Sequence, residues 1–413
     1  MSLAGTTGLA CRSVSNDLTT IPTPCLVLDQ LRCSGNAARM AARMSGLGVA
    51  LRPHLKTAKS TPVARLAVAG HLGGVTVSTL AEARHLAAAG LDDVRLAVCP
   101  SPAVARGAAR LAADGVRISV IVDDPAMVAC LAAEAGAASV VLPTLVEIDC
   151  GEHRTGLRVD GSELLEVARA VHAADSLALA GVLTHAGHAY DAATVGEVVA
   201  IAEQERATVV AAAERLRAAG LPCDEVSAGS TPTATHAADL SGVTEMRPGV
   251  YLFGDGAQVQ LGSCALEDVA LTVLATVISN RAGTESEAGR PGGALILDAG
   301  GLALSKDRST ATRERGSERV GDIGYGLVCD VQGHPLRRSD GRPLIVDDVH
   351  QEHGAVHGVD DVTRKALPLG ARVRVMPNHA CMTAAAHDRY HVVRGDDLAV
   401  VDIWERCNGW GGT

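Results

Sequence analysis

Short β-branched apolar runs alternate with alanine-rich stretches of helical spacing through most of this chain, and that rhythm restricts its fold more than any other feature. The runs that read as strands are Val49–Leu55, Val75–Ser78, Val94–Val98, Ile118–Val122, Val140–Ile148, Leu177–Thr184, Glu225–Ala228 and Met246–Leu252. Helical patterns lie between them at Leu80–Ala89, Ala103–Ala113, Pro125–Ala135, Ser162–Ala173 and Val195–Ala219. The last of these carries Glu and Arg on the face opposite its apolar residues. About eight strand-then-helix units in a row are what a (β/α)8 barrel requires. The fold class read here is therefore α/β, a (β/α)8 TIM-like barrel with a second, mostly antiparallel β domain. A doubly wound open sheet is the competing arrangement; polar residues at one strand end after another favour the barrel.

The second domain is read from a change of pattern near residue 275. Short alternating runs follow at Val269–Ile278, Ala294–Leu297, Leu344–Val346, Arg372–Val375, His391–Val393 and Leu398–Ile403. Gly283–Gly293 and Asp307–Gly321 are polar and read as mobile loops. Ahead of the barrel, Thr23–Asp29 reads as a strand and Leu31–Met44 as the helix after it.

Composition removes several function classes. The 413 residues carry a formal net charge of −10 and no Lys/Arg cluster, which argues against nucleic acid or an anionic membrane as partner. Mean hydropathy is +0.18, yet no uncharged apolar run reaches the roughly 18 residues of a membrane span. The first twenty residues lack a basic start and a continuous apolar stretch, so no secretory leader is expected. Eleven cysteines without framework spacing fit reduced thiols in the cytoplasm. Aromatic residues are only 2%, so Ala, Val and Leu must fill the core. The four tyrosines, Tyr190, Tyr251, Tyr325 and Tyr390, all fall in motif-like segments, which suggests hydrogen-bonding roles.

In a barrel, function gathers at the carboxyl ends of the strands. Lys56 closes the first apolar run beside Arg52 and His54. Shielded from water there, its amine would lose proton affinity and become a usable nucleophile or Schiff-base former; the plain alternative is a lysine snorkelling to the surface. Ser227-Ala228-Gly229-Ser230-Thr231 has the glycine and hydroxyls of a phosphate cradle, in the late-strand position of barrel phosphate sites, or of an ordinary strand-to-helix turn. It is neither a P-loop nor a dinucleotide fingerprint. His379 and Cys381 lie two apart; on a strand they would share one face and could grip one ion, zinc before magnesium by donor type. A buried Cys beside a surface His is the alternative.

These segments together resemble the pyridoxal-phosphate enzymes of the alanine-racemase fold type, specifically the D-serine dehydratase and D-threonine aldolase group. The resemblance rests on Thr23–Asp29, Arg52-Pro53-His54-Leu55-Lys56-Thr57-Ala58-Lys59-Ser60, Glu147-Ile148-Asp149-Cys150-Gly151, Arg154-Thr155-Gly156, Ser227–Thr231, Glu245-Met246-Arg247-Pro248-Gly249, Leu297-Asp298-Ala299-Gly300, Gln351-Glu352-His353-Gly354 and Pro377-Asn378-His379-Ala380-Cys381. It implies residues 1–30 as a strand segment joining the β domain, 31–268 as a cofactor-binding barrel and 269–413 as a β domain with a metal site. It implies pyridoxal 5'-phosphate and a divalent metal (zinc first, manganese or magnesium as alternatives). Lys56 becomes the lysine that carries the cofactor, with His54, Arg154, Tyr190, Ser227, Gly229, Ser230, Thr231 and Tyr251 around it. His379 and Cys381 become the metal ligands. A small D-amino acid is the implied partner, and a homodimer the implied assembly.

The implied activity is D-serine dehydratase-like: β-elimination of water from a D-β-hydroxy amino acid, D-threo-3-hydroxyaspartate included, to a 2-oxo acid and ammonia. The alternative is retro-aldol cleavage of D-threonine or 3-hydroxy-D-aspartate to glycine and an aldehyde, with His188 or His185 as base. Two departures from the family pattern bear on this choice. Cys stands at 381 where aldolases of the group more often carry Asp, which favours elimination, and Ala58 stands where many relatives have His. A metal-free racemase of the same fold would have no use for His379 or Cys381.

Overall fold

The structure is a computed structural model that describes residues 16–70, 74–283, 293–311 and 321–410. Residues 284–292 and 312–320, most of the two segments read as mobile loops, lie outside the described residues, as do residues 1–15.

The first strand, β1 (Cys25–Asp29), is wholly buried and leads into a helix, Gln30–Gly46, that Asp29 caps by accepting from the amides of Leu31 and Arg32. Eight parallel strands follow: β2 (Ala50–Leu51), β3 (Val75–Val77), β4 (Asp93–Leu96), β5 (Arg117–Val122), β6 (Leu142–Ile148), β7 (Leu177–Thr184), β8 (Glu225–Ala228) and β9 (Glu245–Met246). They form one curled sheet in the order β2-β9-β8-β7-β6-β5-β4-β3. Its two ends meet through a bridge between His54 and Thr76, where the Thr76 amide donates to the Pro53 carbonyl at 2.9 Å and the Leu55 amide to Thr76 at 2.8 Å. Every strand run read from the rhythm is present. The first is much shorter than Val49–Leu55, because Pro53 has no N–H to give a ladder and Leu55 to Ala58 form a turn. The last ends at Met246, with Val250–Leu252 in a 3-10 turn.

Small residues substitute for rings in the packing. Gly107 lies so close to the preceding helix that a Cβ there would come within 2.2 Å of Leu80 Cδ1. Inside the curled sheet the space is filled by charge as much as by hydrocarbon. Arg95, 1% exposed, engages the carboxylates of Glu225 and Glu245, and Arg52 Nε donates to Glu245 Oε2 at 2.8 Å. Burial acts against the Glu245 charge, but Arg95 and Arg52 outweigh it and bring its carboxyl down to about 2.

The second sheet comprises β10 (Leu271–Arg281), β11 (Gly293–Leu297), β12 (Gly326–Cys329), β13 (Ile345–Val346), β14 (Asp348–Val349), β15 (Gly354–Val359), β16 (Arg372–Pro377), β17 (Arg389–Val393) and β18 (Asp402–Glu405), together with β1. Its main path runs β13-β12-β16-β10-β1-β17-β18, and every pairing is antiparallel except β1 with β17. β12 and β15 carry no clear alternating signal, since glycine interrupts both. The segment Leu398–Val401, expected as strand, is not one; pairing resumes at Asp402. Among the described residues no helix is long and apolar enough to cross a membrane, and the ten described cysteines are free.

Candidate active site

A cavity of about 610 Å³ opens where the barrel's carboxyl rim meets residues 307–309 and 379–381. Its wall includes His54, Lys56, Arg154, His185, Tyr190, Ser230, His379 and Cys381, eight of the thirteen residues singled out from the sequence. Lys56 reaches the cavity from the turn after β2, and it is exposed rather than shielded as expected. The short strand explains this, since the lysine rides on a turn at the cavity mouth.

The two histidines beside it are neutral. Burial, then the charge of Lys56, pushes the His185 imidazole down to about 3, and the same causes hold His54 well below its ordinary value. His185 Nδ1 lies 3.1 Å from the Gly229 carbonyl, which can only accept, so that nitrogen carries the proton. Arg154 stands at the rim with Nη1 3.0 Å from Glu152 Oε1, and Glu152 accepts the Gly187 amide at 3.2 Å. Tyr190 accepts from the Thr231 amide at 3.4 Å.

Of the glycine-hydroxyl segment only Ser230 lines the cavity. Ser227 is fully buried, with its hydroxyl 2.5 Å from Glu245 Oε1 and engaged by Arg247 and Arg95, so it belongs to the ionic interior. The Gly229 amide is taken at 3.0 Å by Glu205, a buried carboxylate that also accepts Ala186 N at 2.8 Å. Thr231 Oγ1 accepts from Tyr251 N at 3.1 Å, and the Tyr251 hydroxyl is buried away from the cavity without a partner. Gly249 and Val250, which carry no assigned role in the sequence reading, line the cavity together with Ser230. A Cβ on Gly249 would come within 2.7 Å of the His54 carbonyl, so this wall has room for backbone only. His188 does not reach the cavity either. Its ring lies near Gly151, with both nitrogens buried and without a hydrogen-bond partner among the described residues, whereas His185 lines the cavity.

His379 and Cys381 do not share a strand face. β16 ends at Pro377, and His379 caps a short helix, Ala380–Ala385, whose first turn holds Cys381. The turn is pinned by Asp255, a buried carboxylate that accepts Ala380 N at 2.8 Å. His379 Nδ1 lies 2.7 Å from Asp307 Oδ2. Burial opposes a charge on His379, but hydrogen bonds to Asp307 and Cys381 prevail and raise it to about 11. Burial likewise works against a Cys381 thiolate, and His379, with the Thr57 hydroxyl 3.0 Å from Sγ, brings the thiol below its ordinary value. His379 and Cys381 thus offer a nitrogen and a sulfur to one cavity, donor types that suit a divalent cation such as zinc. Asp307 gave no signal because it opens a segment read as loop.

A second group of ligand-type atoms, Cys99, Asp123 and Glu147, lies within 4.8 Å on the same rim. Here Cys99 Sγ donates to Asp123 Oδ1 at 3.3 Å and Glu147 Oε2 at 3.1 Å, and burial with both carboxylates drives its thiol far up. None of these three lines the cavity that holds Lys56, whereas His379 and Cys381 do.

Residues 28–257 match the sequence family described as alanine racemase, N-terminal domain, and residues 270–393 match the serine dehydratase domain. The chain is 42% identical to D-threo-3-hydroxyaspartate dehydratase of Delftia sp. (strain HT23), over 96% of this chain and all of the relative. The solved structure of that protein superposes with a TM-score of 0.85, covering 96% of this chain and 100% of the other. A variant of it in which a cysteine is replaced by alanine is described as metal-free. D-serine dehydratase of Dictyostelium discoideum is 29% identical, with coverage of 94% and 97%. D-threonine aldolase of Arthrobacter sp. is 30% identical, with coverage of 94% and 93%.

Proposed function

This chain belongs to the family of alanine-racemase-fold enzymes that carry a serine dehydratase domain, and on that premise we propose that it is a pyridoxal-phosphate- and metal-dependent lyase of D-β-hydroxy amino acids. The reaction is the dehydratase type: a proton leaves Cα and the hydroxyl leaves Cβ, and a water molecule then hydrolyses the unsaturated product to a 2-oxo acid and ammonia. The observation that carries this reading is one cavity lined both by the amine-bearing Lys56 and by His379 and Cys381.

The residues fit both groups that the chemistry needs. Lys56 is the amine that would hold the cofactor, with Ser230 and the backbone-only wall at Gly249 and Val250 toward its phosphate, and Arg154 and Tyr190 beside it. When bound, pyridoxal phosphate supplies an electron sink that lowers the cost of negative charge at Cα. His379 and Cys381 would hold the metal, zinc by donor softness, whose Lewis acidity makes the β-hydroxyl a better leaving group. Lys56 is the group that takes the Cα proton. Asp307 fixes the His379 ring through Nδ1 and leaves the other nitrogen to act as a ligand. Thr57 steadies the Cys381 sulfur.

Retro-aldol cleavage is the second reading, favoured by the 30% identity to an aldolase. Incubating the holoenzyme with D-serine, D-threonine and D-threo-3-hydroxyaspartate separates the two. Equal yields of oxo acid and ammonia are expected; glycine with an aldehyde would replace elimination by cleavage. A cytoplasmic homodimer without nucleic-acid or membrane partners completes the reading. The net charge of −10 supports the lack of such partners, and the exposed Leu302 and Met382 beside the cavity segments support self-association.

A further inference from the structure

We propose that Arg308 and Gln258 form a subsite that reads a carboxylate on the substrate's β-carbon, so that the enzyme selects β-hydroxy dicarboxylic D-amino acids over D-serine and D-threonine. This rests on the lyase reading and deepens it. Gln258 lines the cavity at 2% exposure, and its Oε1 is buried with no partner. Its backbone amide is held by Asp255 at 2.8 Å, which fixes the residue, while among the described residues no hydrogen bond engages either end of the side-chain amide. A buried amide left unpaired points to a ligand that pairs it. Since both ends are free, a turn about the last torsion presents Nε2 as donor.

Arg308 supplies the charge. One terminal nitrogen, Nη2, meets Asp322 at 2.6 Å; Nε and Nη1 have no acceptor among the described residues. The guanidinium lies 5.4 Å from the centre of the Tyr325 ring, which orients its plane. Its place in the chain decides what it can reach. Arg308 follows Asp307, the carboxylate on His379, so it shares the wall that holds the metal donors. That wall is where the β-hydroxyl must go. The other substituents of the same carbon stay within a side chain's reach of this wall, and a carboxylate there can accept from Arg308 Nε or Nη1. A hydrogen or methyl there would leave both polar groups unanswered, which is a strong source of discrimination.

The test compares kcat/KM for D-threo-3-hydroxyaspartate with that for D-serine in the holoenzyme and in Arg308→Leu and Gln258→Leu. Losing a charge-assisted contact should lower the ratio roughly tenfold or more in Arg308→Leu and less in Gln258→Leu. D-aspartate and D-alanine, which lack the hydroxyl and cannot eliminate water, give a binding measure independent of turnover. Arg308→Leu should weaken inhibition by D-aspartate far more than by D-alanine. Equal kcat/KM values for both substrates in the unaltered enzyme, or a parallel fall for both in the variants, would overturn the subsite and leave the lyase standing. No product from any D-β-hydroxy amino acid would instead overturn the lyase reading itself.

Discussion

Cys381 and Cys99 have the same side chain and are set to opposite chemistry by their neighbours. Burial works against the charged form of both thiols; His379 and the Thr57 hydroxyl still bring Cys381 below its ordinary value, whereas Glu147 and Asp123 push Cys99 further up. Metal retention should follow that difference. Cys381→Ala is expected to lose its bound divalent ion on dialysis, while Cys99→Ala keeps it. Asp307→Asn should bind metal roughly 10–100-fold more weakly, because the histidine loses the partner that orients it. Chelator competition followed by metal analysis reads all three; unchanged affinity in Asp307→Asn would remove Asp307 from the site. The sequence made Lys56, His379 and Cys381 legible because each sits in a compact motif. Asp307 and Gln258 were not, since a carboxylate in a polar segment or an amide in a short helix has no meaning until a distant element packs on it.

Among the elements, the strands show what local pattern can and cannot convey. β5 to β7 are legible as largely apolar runs because most of both faces is buried. β12 was hidden by its own packing requirement: a Cβ on Gly326 would come within 2.4 Å of Val375 Cγ1 on the neighbouring β16. The charged residues that end the strands were likewise ambiguous, and the structure assigns Glu245 to the interior. Glu245→Gln would leave Arg95 and Arg52 buried with one partner fewer, and a loss of about 3–5 kcal/mol is expected by chemical denaturation. The pH dependence has a definite sign. A carboxyl that titrates near 2 folded and near 4.5 unfolded binds fewer protons when folded, so its stabilisation is complete above that upper value and fades as pH falls toward 2. The unaltered protein should lose stability across that window more steeply than Glu245→Gln. Parallel curves would mean that the carboxylate is not held down by its arginines.

For the whole molecule, the decisive feature is β1. It precedes the barrel in sequence yet sits between β10 and β17, strands that come some 240 and 360 residues later. Barrel and second sheet are thereby tied together through one short segment, and the cavity between them depends on that tie. Deleting residues 1–29 should bare the edges of β10 and β17 and yield an aggregating chain with little cofactor absorbance. A monodisperse, cofactor-binding product on size-exclusion chromatography would contradict this. The sequence by itself determined the barrel, the change to β structure after it and the chemical types in the site, because hydrophobic period and short motifs are local properties of a chain. Only the tertiary structure decided which of those groups meet. It sent Ser227 into an ionic interior and His188 behind the wall, and it brought Asp307, Arg308 and Gln258 to the cavity. The reason is physical: whether a polar group faces a ligand or a neighbour depends on which partners satisfy it, and those partners come from elements far away in the chain.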